Sequence, residues 1–226
     1  MELKNSTVLI TFAGSDLGRN IANHFAQTGA TLILCDTHKD RLEHIFKQFQ
    51  SKGKAVYAMP VKDFTTPSLQ YLFDCIEQEV EQCPNVIVNC WTASPLSGLN
   101  DPLAERFVEP IAQTAAYFQA AGHVAAQRMR AVGNQGVIVN VLSYENHSDT
   151  KGIESIGALV SGLTSSWAKE MAPYNIRVGG VIPAPTHQGD PIDSHYWACI
   201  QQELTRNAEY IVTNDYFSGR VVNTDV

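Results

Sequence analysis

Short apolar runs alternate with longer amphipathic stretches along most of this chain, and that alternation restricts the fold more than any other feature. Strand-like runs fall at residues 8–12, 31–35, 55–59, 86–89, 137–142, 177–182 and 220–223. They are β-branched and nearly continuous, as strands covered on both faces are. Helical patterns occupy about 17–28, 40–52, 67–82, 102–132 and 153–172. Strand–helix alternation predicts an α/β fold with a parallel sheet wound by right-handed crossovers. About seven strands are expected, in one domain over residues 1–226. Residues 183–194, rich in Pro, Gly, His and Asp, read as an irregular loop.

Composition narrows the function classes. The chain has 226 residues, 44% apolar and 17% charged, with a formal charge of −7. That balance fits a water-soluble domain and offers no basic surface for nucleic acid or an anionic membrane. No apolar run approaches the ~18 residues of a membrane span. The start, Met1 to Ser6, lacks a basic segment followed by a long apolar one, so no signal peptide is expected. The five cysteines, Cys35, Cys75, Cys83, Cys90 and Cys199, show no Cys-x-x-Cys spacing. Buried thiols in a reducing cytoplasm are the expected state, and no metal-ligand spacing is present.

The first strand runs into Thr-Phe-Ala-Gly-Ser-Asp-Leu-Gly at residues 11–18 and then into a helix. A doubly wound, Rossmann-like fold places its phosphate-binding turn here, where backbone N–H groups and a helix N-terminus receive a pyrophosphate. Gly14, Ser15 and Gly18 are the candidate contacts. Asp36 closes the second strand, where a carboxylate can accept from an adenosine ribose and disfavour a 2′-phosphate. NAD is therefore the expected cofactor, if any. Two residues oppose binding. Phe12 stands where a tight turn calls for glycine, and a phenylalanine at positive φ is strained. Asp16 brings a like charge toward a pyrophosphate, worth roughly 4 kcal/mol at ~4 Å and an effective dielectric of ~20. Asp16 or Ser15 serves equally well as the cap of the following helix.

Several landmarks in order resemble the short-chain dehydrogenase/reductase family over nearly the whole chain. Residues 11–18 are similar to its Thr-Gly-x-x-x-Gly-x-Gly turn, with Phe12 and Asp16 in place of two glycines. Residues 89–92, Asn-Cys-Trp-Thr, stand at its Asn-Asn-Ala-Gly, which makes Asn89 a further candidate cofactor contact. Residues 139–143, Val-Asn-Val-Leu-Ser, resemble the strand that delivers its catalytic serine. Residues 167–178 resemble its helix end and sixth strand, Pro183 and Ala184 its Pro-Gly, and residues 217–223 its last turn and strand. Pro60 falls where the family has an aspartate contacting adenine. Trp91 replaces an alanine, and it either packs in the core, fills the nicotinamide space or stacks on another aromatic ligand.

The resemblance implies a catalytic set of Asn, Ser, Tyr and Lys. Tyr exchanges the proton, Lys lowers the Tyr pKa and holds the ribose, Ser orients the oxygen, and Asn positions a water relay. Ser143 alone is retained here. Counting along the motifs, Ile153 stands for the Tyr, Gly157 for the Lys and Ala115 for the Asn. No tyrosine occurs from residue 145 to 173 and no lysine from 152 to 168, so a shift of a few residues does not recover the pair. Tyr144 and Lys151 are substitute candidates beside Ser143, although they flank a polar loop. His147 and His187 could reach the same mouth. The leading expectation is a family-like protein with a degenerate active site, a non-catalytic oligomeric or ligand-responsive subunit. The alternative is an NAD(P)-dependent oxidoreductase acting on a carbonyl or alcohol with non-standard residues. Small residues stud the segments 111–131 and 153–172, so a homodimer or homotetramer through them is expected.

Overall fold

In the computed structural model, β1 (Thr7–Ile10), β2 (Thr31–Asp36), β3 (Val56–Pro60), β4 (Val86–Thr92), β5 (Gly136–Ser143), β6 (Ile176–Pro183) and β7 (Val221–Thr224) form one sheet. The structure describes residues 1–51, 53, 55–94, 96–97, 103–133, 135–144, 153–184 and 194–225. The strand order is β3-β2-β1-β4-β5-β6-β7, and every pairing is parallel. The helices are α1 (Asp16–Gln27), α2 (Lys39–Gln50), α3 (Thr66–Val80), α4 (Glu105–Val132), α5 (Ile153–Met171) and α6 (Ser194–Thr213). Among the described residues, six α-helices around a single parallel sheet of seven strands make the α/β, Rossmann-like fold that the alternation predicts.

The continuous apolar character of the strands follows from their position between two layers. Leu9, Ile33, Ile87, Ile138 and Val178 point to the layer of α3, α4 and α5. Val8, Ile10, Leu32, Val88 and Val139 point to the layer of α1, α2 and α6. Alternate side chains along a strand face opposite ways, so both sets must be apolar. The helix α6 was absent from the expected elements, although Ile200, Leu204, Ala208 and Ile211 recur at helical spacing and are fully buried. Its first turn, Ser-His-Tyr-Trp, follows the Pro/Gly-rich segment and hides its beginning in the sequence. The loop expected at 183–194 begins within β6 and ends at the first residue of α6; residues 185–193 lie outside the described residues.

Strand order reverses between β1 and β4. In such sheets ligands bind in the crevice beyond the carboxyl ends of the strands at this switch point. The residues that follow β1, β2, β3, β4 and β5 converge there.

Candidate functional site at the switch point

The turn after β1 is bound to itself. Ser15 is the N-cap of α1: its Oγ accepts from the Gly18 amide at 3.0 Å and donates to the Phe12 carbonyl at 2.8 Å. The Ala13 amide donates to the Cys35 carbonyl at 3.0 Å, and the Ser15 amide to the Phe12 carbonyl at 3.0 Å. The Gly14 amide donates to Asp36 Oδ2 at 2.7 Å. Gly18 is required for close approach, because a Cβ there would lie 2.2 Å from the Phe12 carbonyl oxygen. Asp16 is exposed and pairs with Arg19 at 2.8 Å, so the capping role falls to Ser15 and the charge stays at the surface.

Asp36 turns inward. It is 3% exposed, and its two oxygens accept from the Gly14 amide and, at 2.9 Å, from the His38 amide. The carboxylate thus ties β2 to the β1 turn. A Cβ on Gly14 would meet Asp36 Oδ2 at 2.8 Å, so this contact also explains the glycine.

Phe12 has φ +48, the strained left-handed geometry that its place in the turn predicts. Its ring lies 4.0 Å from that of Phe64, 5.2 Å from Tyr117 and 5.4 Å from Trp91. Trp91 stacks on Tyr117 at 4.7 Å with an interplanar angle of 17°. The cluster is pinned by polar ties. Thr11 Oγ1 and the Tyr117 hydroxyl are 2.5 Å apart, and the Cys90 amide donates to Thr11 Oγ1 at 3.0 Å. Trp91 Nε1 donates to Thr114 Oγ1 at 3.0 Å. A left-handed residue costs about 1–2 kcal/mol. The half-buried Phe12 ring returns about 1–2 kcal/mol, and each well-placed aromatic pair about 0.5–1.5 more. Packing therefore outweighs strain, and Trp91, partly buried, packs its ring on Tyr117 and Phe12 at the edge of the core. Phe64 and Tyr117 carried no local signal in the sequence; only the fold brings them to the turn.

On β4 and β5, Asn89 lies opposite Asn140, and Thr92 opposite Ser143. Asn89 Nδ2 donates to Asn140 Oδ1 at 3.1 Å, and Asn140 Nδ2 donates to Thr164 Oγ1 on α5 at 3.3 Å. This buried ladder joins two strands to the helix, and it leaves Asn89 Oδ1 without a partner among the described residues. Ser143 is fully buried, and its Oγ likewise has no partner among the described residues. Its carbonyl accepts from the Ala93 amide at 2.9 Å. Tyr144 is 1% exposed and packs in the core on the α3–α4–α5 side. Burial pushes its hydroxyl well above the ordinary tyrosine range. Lys151, His147 and His187 lie outside the described residues.

Two clefts open beside these elements. One of about 620 Å³ lies between α4 and α5, against Gln119, His123, Arg130, Trp167, Met171 and Tyr174. Another of about 510 Å³ borders the β1 turn itself, lined by Gly14, Ser15, Asp16, Arg19, Arg41 and His44. Neither is lined by the ring cluster. Among the described residues no group of acidic, His or Cys side chains could hold a metal, and no helix is long and apolar enough to cross a membrane.

With this geometry in place, comparison with known proteins is decisive for the family. The short chain dehydrogenase family matches residues 6–190. The chain belongs to the short-chain dehydrogenase family. Among its relatives, a 3-oxoacyl-(acyl-carrier-protein) reductase of Thermotoga maritima is 29% identical over 193 residues, covering 81% of this chain and 75% of that one. The 7alpha-hydroxysteroid dehydrogenase of Escherichia coli is 23% identical, covering 81% of this chain and 72% of its own. Among solved structures, a short-chain type dehydrogenase/reductase from Mycobacterium marinum superposes with a TM-score of 0.82 at 20% identity, covering 99% of this chain and 95% of that one. A gluconate 5-dehydrogenase from Burkholderia cenocepacia, solved in complex with NADP and tartrate, gives a TM-score of 0.79 at 19% identity, covering 98% and 94%. This member of the short-chain dehydrogenases thus shares the family's sheet and helices at low identity.

Proposed function

We propose that this chain is a short-chain dehydrogenase-fold protein that does not perform the family's hydride transfer, and that it works as a non-catalytic oligomeric or ligand-responsive subunit. The observation that carries this reading is the state of the reaction centre. The segment that opens α5 offers Ile153 and Gly157 where the family's proton donor and its lysine would stand, and Ser143 Oγ is sealed in the core. A fully buried hydroxyl with no hydrogen-bond partner among the described residues is poorly placed to orient a substrate oxygen or pass a proton. The cofactor half points the same way. The amides of Gly14 and Gly18 are committed to Asp36 and Ser15, the Asp36 oxygens already accept from two backbone amides, and the rings of Phe12 and Trp91 crowd the switch point. These residues do not fit a dinucleotide, and whatever residual affinity exists should favour NAD over NADP through Asp36. A cytoplasmic setting suits the five free thiols.

A second reading rests on the relatives, which are named as dehydrogenases and reductases. It makes the chain an NAD(P)-dependent oxidoreductase using Ser143, Tyr144 and Lys151. Against it stands Tyr144, whose buried hydroxyl resists ionisation.

The deciding experiment is a panel of carbonyls and alcohols with NAD(H) and NADP(H). The first reading expects no turnover above background, and no rescue from Ile153→Tyr with Gly157→Lys. The second expects activity that Tyr144→Phe lowers by about 10²–10⁴-fold.

A further inference from the structure

We infer that the Phe12 ring is a built-in occupant of the adenosine half of the switch-point crevice, and that this crevice accepts an adenine nucleoside once the ring is removed. The inference deepens the functional reading and rests on its cofactor half. Three observations carry it. The first is position. Phe12 follows β1 at the reversal of strand order, and its nearest ring partner, Phe64, lies beyond β3 at 4.0 Å. Asp36, at the end of β2, marks the side on which a nucleotide's adenosine ribose would sit. Phe12 and Phe64 therefore meet on the adenosine side. The second is geometry. At 4.0 Å between centroids and a 32° tilt, the Phe12 ring lies against Phe64 where a planar base would have to lie to use that ring. The third is strain. A phenylalanine held at φ +48 stays there because its ring is gripped, by Phe64, Trp91 and Tyr117.

The same geometry dictates which ligand enters. Removing the ring leaves a slot bounded by Phe64, Trp91 and Tyr117, with Asp36 behind it. It does not release the Gly14 and Gly18 amides, which remain bound to Asp36 and Ser15, and it does not move Asp16. A planar base with a ribose fits these terms; a pyrophosphate does not.

Phe12→Gly is the direct test, because glycine adopts the positive φ without strain. Wild type should show no thermal shift with millimolar adenosine or NAD. Phe12→Gly should melt roughly 5–10 °C lower. Adenosine should restore part of that loss in a saturable way, and calorimetry should find it at least about tenfold tighter than NAD, as a like charge near the pyrophosphate implies. Phe12→Asn also removes the ring, with a side chain that tolerates the left-handed geometry, and should also gain adenosine binding; it decides alone if Phe12→Gly does not fold. Adenosine binding by wild type would overturn the inference, as would variants that fold and gain none, or that bind NAD as tightly as adenosine. Inert wild type with unresponsive variants removes only the Phe12 assignment. Wild-type turnover of an alcohol or carbonyl would instead remove the functional reading.

Discussion

Ser143 sits where the resemblance would place a working hydroxyl, and it is fully buried with no partner for its Oγ among the described residues. An unpartnered buried hydroxyl is a cost, of about 1–3 kcal/mol when desolvation is not repaid. Ser143→Ala should therefore leave the melting temperature unchanged or raise it, with a gain of up to about 1 kcal/mol, measured by urea or thermal unfolding. A loss of more than about 1 kcal/mol would indicate a partner for Oγ and reopen its role. At this scale the sequence was informative where backbone geometry is dictated by residue type. A phenylalanine in place of a turn glycine forecast the positive φ at Phe12, and Ser15 before a helical run forecast a cap. It was silent where side chains meet across the fold. Asn89 was read as a cofactor contact, and the ladder through Asn140 to Thr164 depends on strand register that one residue cannot announce. For Asp36 the sequence offers a ribose acceptor, and the fold adds a tie to the Gly14 amide that no single residue announces.

Among the elements, α6 is the one the sequence reading missed, and its C-terminal end shows what fixes it. Arg177, on β6, is 7% exposed and donates to the carbonyls of Ile211, Val212 and Phe217 at 2.8, 2.8 and 3.0 Å. The last carbonyls of a helix have no partners within it, so one guanidinium satisfies several at once. Burial lowers the arginine's pKa, and Asp215 at 3.6 Å opposes that shift. The guanidinium stays charged because even a lowered arginine lies far above neutral pH. Arg177→Met keeps most of the apolar stem and removes the donors. It should cost about 2–4 kcal/mol, the range for stranding buried carbonyls, and exchange protection should fall first in α6. An unchanged unfolding midpoint would mean that water replaces the guanidinium. The cue for α6 was available in the spacing of Ile200, Leu204, Ala208 and Ile211. It was masked because the preceding Pro/Gly-rich run carries the stronger turn signal.

For the whole molecule, the unsettled question is assembly, and α4 supplies a specific answer. One face of this helix is exposed along Glu105, Val108, Ala112, Ala116, Gln119, His123, Gln127 and Arg130, at successive spacings of three and four. The face is self-complementary about its centre. Laid antiparallel on a copy of itself, Ala116 meets Gln119, Ala112 meets His123, Val108 meets Gln127, and Glu105 meets Arg130. Small residues in the middle let the helices approach, opposite charges meet at the ends, and a two-fold axis repeats every contact. The neighbouring α5 comes close to α4 at one point, where a Cβ on Gly122 would lie 2.5 Å from the Trp167 ring, and the cleft between the two helices opens beside it along Gln119, His123 and Arg130. The small-residue pattern in the sequence points to these helices without distinguishing their exposed faces from their buried ones. Ala120, one of the alanines in that pattern, is 9% exposed and packs inward, so its substitution would report on the core. Ala116 is exposed at the centre of the stripe. Light scattering should return about twice the 24.9 kDa chain mass, or a higher even multiple. Ala116→Glu, which sets two carboxylates beside the axis, should shift the species toward monomer without lowering the melting temperature of the dissociated chain. Arg130→Glu should weaken the assembly, and Glu105→Arg combined with Arg130→Glu should restore it, because the exchange re-forms the pair at each end. A wild-type mass of one chain at tens of micromolar would overturn the arrangement. So would an assembly indifferent to Ala116→Glu.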